Sequence, residues 1–307
     1  MHTVAIVNPA AGGGRAFRKL AGLAAALGEG PPPTPVWWTA GPRHAEHLAA
    51  KARREGVERV VVVGGDGTLF EVINGLWREA EGVLPSVGIV PVGTGCDYGR
   101  NFRLGVSLRE KLATALAGPC ASVDVGACRL SGMDGRPYPR VFLNVLGFGF
   151  DAAVIQRLNS QRLKLRGRLP YLFATLREML RAGGCTVTGT VDGEAVATEA
   201  LLFAAGIGTS FGGGMRITPD GRLDAGRFQL VWGERMGRLE LLRLFPKIYS
   251  GRHLGHPKVR SRLARSAALS AAPAAWVEAE GELIGTTPIE LEIRPRALRI
   301  ACAGVKT

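Results

Sequence analysis

Three glycine-rich stretches carry the residues best suited to chemistry. In VVVGGDGTLFEVINGL, residues 61–76, an apolar run stops at Gly64 and Gly65, and a lone carboxylate, Asp66, follows. Gly67 and Thr68 then lead into a helical pattern. Glycines at such a junction let a phosphate approach backbone N–H groups, and the N-terminus of the following helix attracts anions. A carboxylate alone would repel phosphate, so Asp66 is read as a holder of Mg²⁺ or as the group that orients a nucleophile. The plainer alternative is an aspartate that caps its helix. NPAAGGGRA brings Asn8, Gly12, Gly13, Gly14 and Arg15 to the end of the first apolar run, and PVGTGCDYGRN brings Thr94, Asp97 and Arg100 to the end of another. Three such loops on one sheet edge suggest a nucleotide cradle, with Thr94 giving a hydroxyl and Asp97 a second carboxylate. Neither GxxxxGK[ST] nor GxGxxG occurs.

The elements that must position these loops alternate. TVAIVNP, TPVWWTA, ERVVVVGG and PSVGIVPVG read as strands, separated by the helical patterns GRAFRKLAGLAAALG, PRHAEHLAAKARREG and FEVINGLWREA. SLREKLATALAG and ASVDVGA continue the alternation, which predicts βαβ units and a doubly wound parallel sheet over residues 1–126. ERVVVVGG is apolar throughout, as a strand buried on both faces should be. From about residue 127 the strand-like runs become frequent, beginning with RVFLNVLGFG as one strand. Residues 127–293 are therefore read as a β-rich, largely antiparallel domain with helices inserted near 150–182 and 236–250.

At 307 residues the chain is long enough for two cores. The formal charge of +13 points to polyanionic partners: nucleic acid, an anionic membrane surface or phosphorylated substrates. The cations cluster. Between Arg157 and Arg181 lie seven basic residues and one acidic, and GRHLGHPKVRSRLARS has no carboxylate. No zinc-finger spacing or aromatic RNA-binding motif accompanies the charge, so no nucleic-acid partner is expected. No apolar run is long enough to span a bilayer, and the N-terminus lacks a basic region of the signal-peptide kind. Five scattered cysteines without CxxC spacing argue against zinc or a disulfide framework and fit a reducing, cytoplasmic compartment.

In order and spacing, NPAAGGGRA, GGDGTLFEVINGL and PVGTGCDYGRN resemble the diacylglycerol kinase catalytic-domain family, above all the soluble bacterial lipid kinases related to diacylglycerol and sphingosine kinases. The likeness runs on through VDVGA, LNVLGFGFDA, GTSFGGGMRITPDGRLDAGRFQL, GRHLGHPKV and EGELIGTTPIELEIRPRAL, over nearly the whole chain. It implies an N-terminal domain like those of NAD kinase and phosphofructokinase that carries ATP, a C-terminal domain facing the lipid, a cleft between them, and a last strand, about 294–304, that rejoins the first domain. It places nucleotide contacts on Asn8, Pro9, Ala10, Ala11, Gly12, Thr39, Gly65, Asp66, Gly67, Thr68, Leu69, Phe70, Glu71 and Thr94. Asp66, Asp97 and Asp124 match the acidic network that organises Mg²⁺, partly through water. Asp66 and Glu282 are the catalytic candidates, Glu282 as acceptor of the substrate hydroxyl's proton. The implied activity is ATP-dependent phosphorylation of a membrane lipid such as diacylglycerol, at the inner, anionic face of the membrane and with peripheral attachment; homodimerisation is left open.

Three positions depart from the pattern. Glu280-Gly281-Glu282 replaces the usual DGE, Cys96-Asp97-Tyr98 replaces NDF, and Ala225 stands where a metal-binding Asp is common. The alternatives to a lipid kinase are an enzyme like NAD kinase, which shares GGDGT, and a weakly catalytic, nucleotide-sensing regulator at the membrane, which Ala225 would favour.

Overall fold

The computed structural model describes residues 1–14, 34–78, 83–92, 96–132, 135–150, 152 and 183–306. The chain divides into two compact units, one of Met1–Val123 with Arg296–Thr307 and one of Asp124–Pro295.

In the first unit the strands β1 (Thr3–Val7), β2 (Val36–Trp38), β3 (Arg59–Gly64) and β4 (Ser86–Pro91) pair in parallel, in the order β4-β3-β1-β2. Val7 lies opposite Val63, and Val63 opposite Val90, so these three strands end level with one another. Val60 to Val63 are all buried, which requires both faces of β3 to be covered. Among the described residues three helices accompany the sheet: α1 (His44–Arg54), α2 (Asp66–Arg78) and α3 (Leu108–Ala117). Leu112 and Ala115 of α3 pack into a cluster with Ala5, Val7, Val61, Val63 and Val90. Each fully buried valine contributes about 1.5–3 kcal/mol of transfer free energy. Ser107 begins α3 with a reciprocal cap: its hydroxyl accepts from Glu110 N–H, while the Glu110 carboxylate accepts from Ser107 N–H.

The second unit takes most of β5 (Cys120–Ser131) and then β6 (Pro137–Phe142), β7 (Val145–Gly149), β8 (Cys185–Val191), β9 (Glu194–Gly206), β10 (Phe228–Glu234), β11 (Val259–Ala264), β12 (Ser266–Ala272), β13 (Trp276–Ala279) and the larger part of β14 (Glu282–Ala301). The pairings within it are antiparallel. Two long strands change partner along their length: β9 pairs with β8 and then with β7, and β14 pairs with β13 and then with β12. With β8–β12 and β7–β13 pairs this closes a circuit, β14-β13-β7-β9-β8-β12, in which no member strand is left as an open edge. Phe148, Phe203 and Trp232 stack across β7, β9 and β10 at centroid distances of 5.1 and 5.7 Å. The helix α4 (Arg238–Ile248) buries Leu241, Leu244, Phe245 and Ile248.

RVFLNVLGFG corrects one sequence expectation. It is not one strand but β6 and β7, broken at Leu143 and Asn144, because both of their backbone N–H groups donate to the Glu280 carboxylate rather than to a sheet ladder. The last run returns to the first unit, where Ile300 and Ala301 pair in parallel with Val87 and Gly88 of β4. The helical patterns expected over 15–28 and near 150–182 lie outside the described residues.

Candidate functional site: a knot of loops at three strand ends

Each of the level strands β1, β3 and β4 runs into one of the glycine loops, and hydrogen bonds join the three. Asn8 follows β1. Its N–H donates to Val63 O at 3.0 Å, its Oδ1 accepts from Ala10 N–H at 2.9 Å, and its Nδ2 donates to Thr68 Oγ1 at 2.8 Å. Gly64 ends β3 because nothing larger fits: a Cβ there would lie 2.6 to 2.9 Å from the Thr68 side chain. Gly12 has φ +65°, and a Cβ on it would meet Val92 O at 2.8 Å. The loop after β4 is tied in turn by Val92 N–H, which donates to Gly64 O at 3.0 Å.

Asp66 opens α2, but its carboxylate accepts from N–H groups beyond its own helix. Oδ2 accepts from Asp97 N–H at 2.9 Å and Oδ1 from Tyr98 N–H at 3.2 Å. Asp97 is itself buried, with Oδ1 3.1 Å from Arg100 Nη1. Burial raises the Asp66 carboxyl above its ordinary value, and the Asp97 charge pushes the same way, against the two backbone N–H groups and Arg100. Each Asp66 oxygen has a second lone pair beyond the bond named here. Two close carboxylates, one of them resisting ionisation, form a hard oxygen donor set whose repulsion a divalent cation relieves, so these residues fit Mg²⁺. Among the described residues no three His, Cys, Asp or Glu side chains gather as a metal-ligand set.

The remaining sequence-derived positions separate by environment. Thr39 is buried, and its N–H donates to Val7 O at 2.9 Å. The side chains of Leu69 and Phe70 belong to the core, which leaves only their backbone for a ligand. Glu71 caps α1: its carboxylate accepts from Arg43 N–H at 2.9 Å and Ala45 N–H at 3.1 Å, supplying partners that α1 does not provide itself. Pro9 and Gly65 are half-buried, and Ala10 is exposed in the first loop. Thr94, Arg15 and the basic residues from Arg157 to Arg181 lie outside the described residues.

Sequence reasoning missed a pocket beside this knot. Its volume is about 570 Å³, and Cys96, Arg100, Arg103, Lys111 and Lys306 line it without any carboxylate. Such a wall attracts anions. Four cations drawn from residues 100–111 and 306 form no charge run, so no sequence signal marks it.

In the second unit, Glu280 and Gly281 form a two-residue hairpin turn between β13 and β14, with φ +55° and +86°. Glu280 Oε1 accepts from Leu143 N–H at 2.9 Å and Asn144 N–H at 2.6 Å. Glu282, the first residue of β14, is exposed. Asp124 is fully buried, its Oδ2 accepting from Gly226 N–H at 2.6 Å, while its own N–H donates to Leu223 O. It thereby holds the turn that contains Ala225. Asp224 is exposed and lies 3.8 Å from Arg222.

Comparison with known proteins decides the family. The diacylglycerol kinase catalytic domain matches residues 2–128, and the YegS C-terminal NAD kinase beta sandwich-like domain matches residues 144–302. A diacylglycerol kinase of Mycobacterium tuberculosis is 30% identical over 299 residues, 96% of this chain and 93% of that protein. The chain belongs to the diacylglycerol kinase family. A diacylglycerol kinase of Staphylococcus carnosus is 29% identical over 78% of this chain and 74% of its own length. A crystal structure from Bacillus anthracis, assigned provisionally to the diacylglycerol kinases, superposes with a TM-score of 0.76 at 25% identity, covering 98% of this chain and 96% of that one. Yeast NADH kinase, at a TM-score of 0.54 and 13% identity over 100% of this chain and 84% of its own, shares the fold alone.

Proposed function

We propose that this family member is a lipid kinase that moves the γ-phosphoryl group of ATP to a hydroxyl of a membrane lipid such as diacylglycerol. The observation that carries the reading is the Asp66 carboxylate, which links the loop after β3 to the loop after β4 while its acidity is weakened by burial and by Asp97. In this reading residues 1–126 and the strand at about 294–304 form a doubly wound nucleotide unit, and residues 127–293 form the lipid unit. Asn8–Gly12, Thr39, Gly65–Glu71 and Thr94 hold ATP largely through backbone groups.

Asp66 and Asp97 would hold Mg²⁺, which supplies neutralisation of the phosphate charge. Asp124 would belong to the same acidic network, acting partly through water, with its Oδ2 also accepting from Gly226 N–H. Glu282 accepts the proton of the lipid hydroxyl, a late demand because the phosphoryl-transfer transition state is loose. Most of the rate then comes from positioning and from fixed charge. The acceptor is met at the inner, anionic membrane surface, by a chain in which, among the described residues, no helix is long and apolar enough to cross a bilayer.

The test is incubation with γ-labelled ATP, Mg²⁺ and a total lipid extract, with NAD⁺ in a parallel reaction. Label moving into chloroform-soluble product supports the reading. Label found only in a pyridine nucleotide overturns it.

A further inference from the structure

The outward face of α4 is built the wrong way round for contact with water. Its inner face, Leu241, Leu244, Phe245 and Ile248, already supplies the apolar stripe that packing requires. The opposite side of a surface helix is ordinarily polar. Here Leu239, Leu242, Pro246 and Tyr249 recur at steps of three, four and three, which places them on one outward stripe. Leu239 is 71% exposed and Leu242 and Tyr249 are each 40% exposed. Arg238, Arg243 and Lys247 flank the stripe and are exposed, and none has an ion-pair partner among the described residues. The one carboxylate of the helix, Glu240, is turned away, bonded to Gly237 N–H and within 2.9 Å of Lys258 and 3.4 Å of His256.

We propose that this face of α4 docks on an anionic bilayer, with Leu239, Leu242 and Tyr249 entering the boundary between headgroups and acyl chains and Arg238, Arg243 and Lys247 meeting lipid phosphates. The pattern, apolar centre and cationic rim, is that of a helix lying in the membrane interface. Charge complementarity selects this occupant over a second copy of the chain, since self-pairing of the same face would set three unpaired cations against three more. The role of the contact, presenting the kinase to its acceptor, rests on the reading of a lipid kinase above. The contact itself is measured without catalysis.

The experiment is co-sedimentation of the full chain with vesicles of phosphatidylcholine alone, or of phosphatidylcholine with phosphatidylglycerol, at low and high salt. Wild type, Leu239→Ser/Leu242→Ser and Arg243→Glu/Lys247→Glu are compared. All four positions are exposed, and thermal melts check each fold. Wild type should bind the anionic vesicles and be released by salt, and each double variant should bind about tenfold or more weakly. Binding by both variants equal to wild type overturns the proposal. So does a wild-type dimer, seen by size exclusion, that the leucine variant dissociates without any change in vesicle binding. Phosphorylation of a soluble short-chain diacylglycerol, assayed alongside, separates the two claims. No transfer by a wild type whose vesicle binding still depends on α4 supports the docking face and removes only the kinase reading.

Discussion

The Asn8 Nδ2 amide donates to the Thr68 hydroxyl at 2.8 Å, joining loops sixty residues apart in sequence. The same asparagine holds its own loop through Ala10 N–H and takes position on β3 through Val63 O. A single side chain therefore registers the first glycine loop against GGDGT.

Thr68→Val keeps the shape and removes that bond. We expect a loss of about 1 kcal/mol in denaturant unfolding and a weaker grip on ATP, of several-fold, in a direct binding assay. Unchanged stability and unchanged ATP affinity would show that the link contributes nothing.

Glu280 and Glu282 should separate cleanly. Glu280→Ala leaves the buried Leu143 and Asn144 N–H groups without their acceptor, at about 1–3 kcal/mol, and should lower the melting temperature. Glu280→Gln keeps an oxygen there and should do much less. Glu282→Gln, at an exposed position, should leave stability alone and lower kcat by about 10²–10⁴-fold with little change in ATP affinity. Kinetics in the reverse order would put the proton acceptor on the wrong carboxylate.

The raised pKa of Asp66 sets a pH dependence with a definite sign. The unfolded carboxyl titrates near 3.8 and the folded one higher, because burial penalises the charge. The folded state therefore holds the proton more tightly. Stability from this group is complete below the unfolded value and is lost as pH rises through the folded one. Asp66→Asn carries no such charge, although its amide can serve only one of the two N–H groups of Asp97 and Tyr98. The melting temperature of the variant relative to wild type, measured without Mg²⁺ from pH 3 to 7, should rise with pH. A flat difference would mean that Asp66 ionises as freely folded as unfolded.

Ala225 is exposed in the turn that Asp124 holds, and its neighbour Asp224 is exposed beside Arg222. Wild type should be active with alanine there. Ala225→Asp should raise the melting temperature only when millimolar Mg²⁺ is present, by linkage to a restored site. An inactive wild type that the substitution switches on would favour the regulator.

Much of the β3–α2 junction is legible in sequence, because each signal there is local. Four apolar residues in a row require cover on both faces, and glycines ending that run before a helical period mark the turn. The bonds that make the junction a site are not local. Asn8–Thr68, Asp66–Asp97 and Glu71 to Arg43 N–H span 60, 31 and 28 residues. Glu71 shows the difficulty best. Nothing near α1 supplies its cap, and nothing about Glu71 in α2 reveals that it does. The break between β6 and β7 is equally hidden, since its cause, Glu280, lies 136 and 137 residues away. For the same reason the outward leucines of α4 look, in sequence, like more core.

The most direct test of phosphoryl transfer through this site is the rate at which Asp66→Asn moves label from γ-labelled ATP to purified diacylglycerol in mixed micelles. An amide resembles the carboxylate in shape but brings no charge to Mg²⁺. The account predicts that labelled lipid product falls at least about a hundredfold below wild type, with near-ultraviolet circular dichroism still that of a folded chain. Transfer within about tenfold of wild type, a barrier change of only ~1.4 kcal/mol, would contradict it.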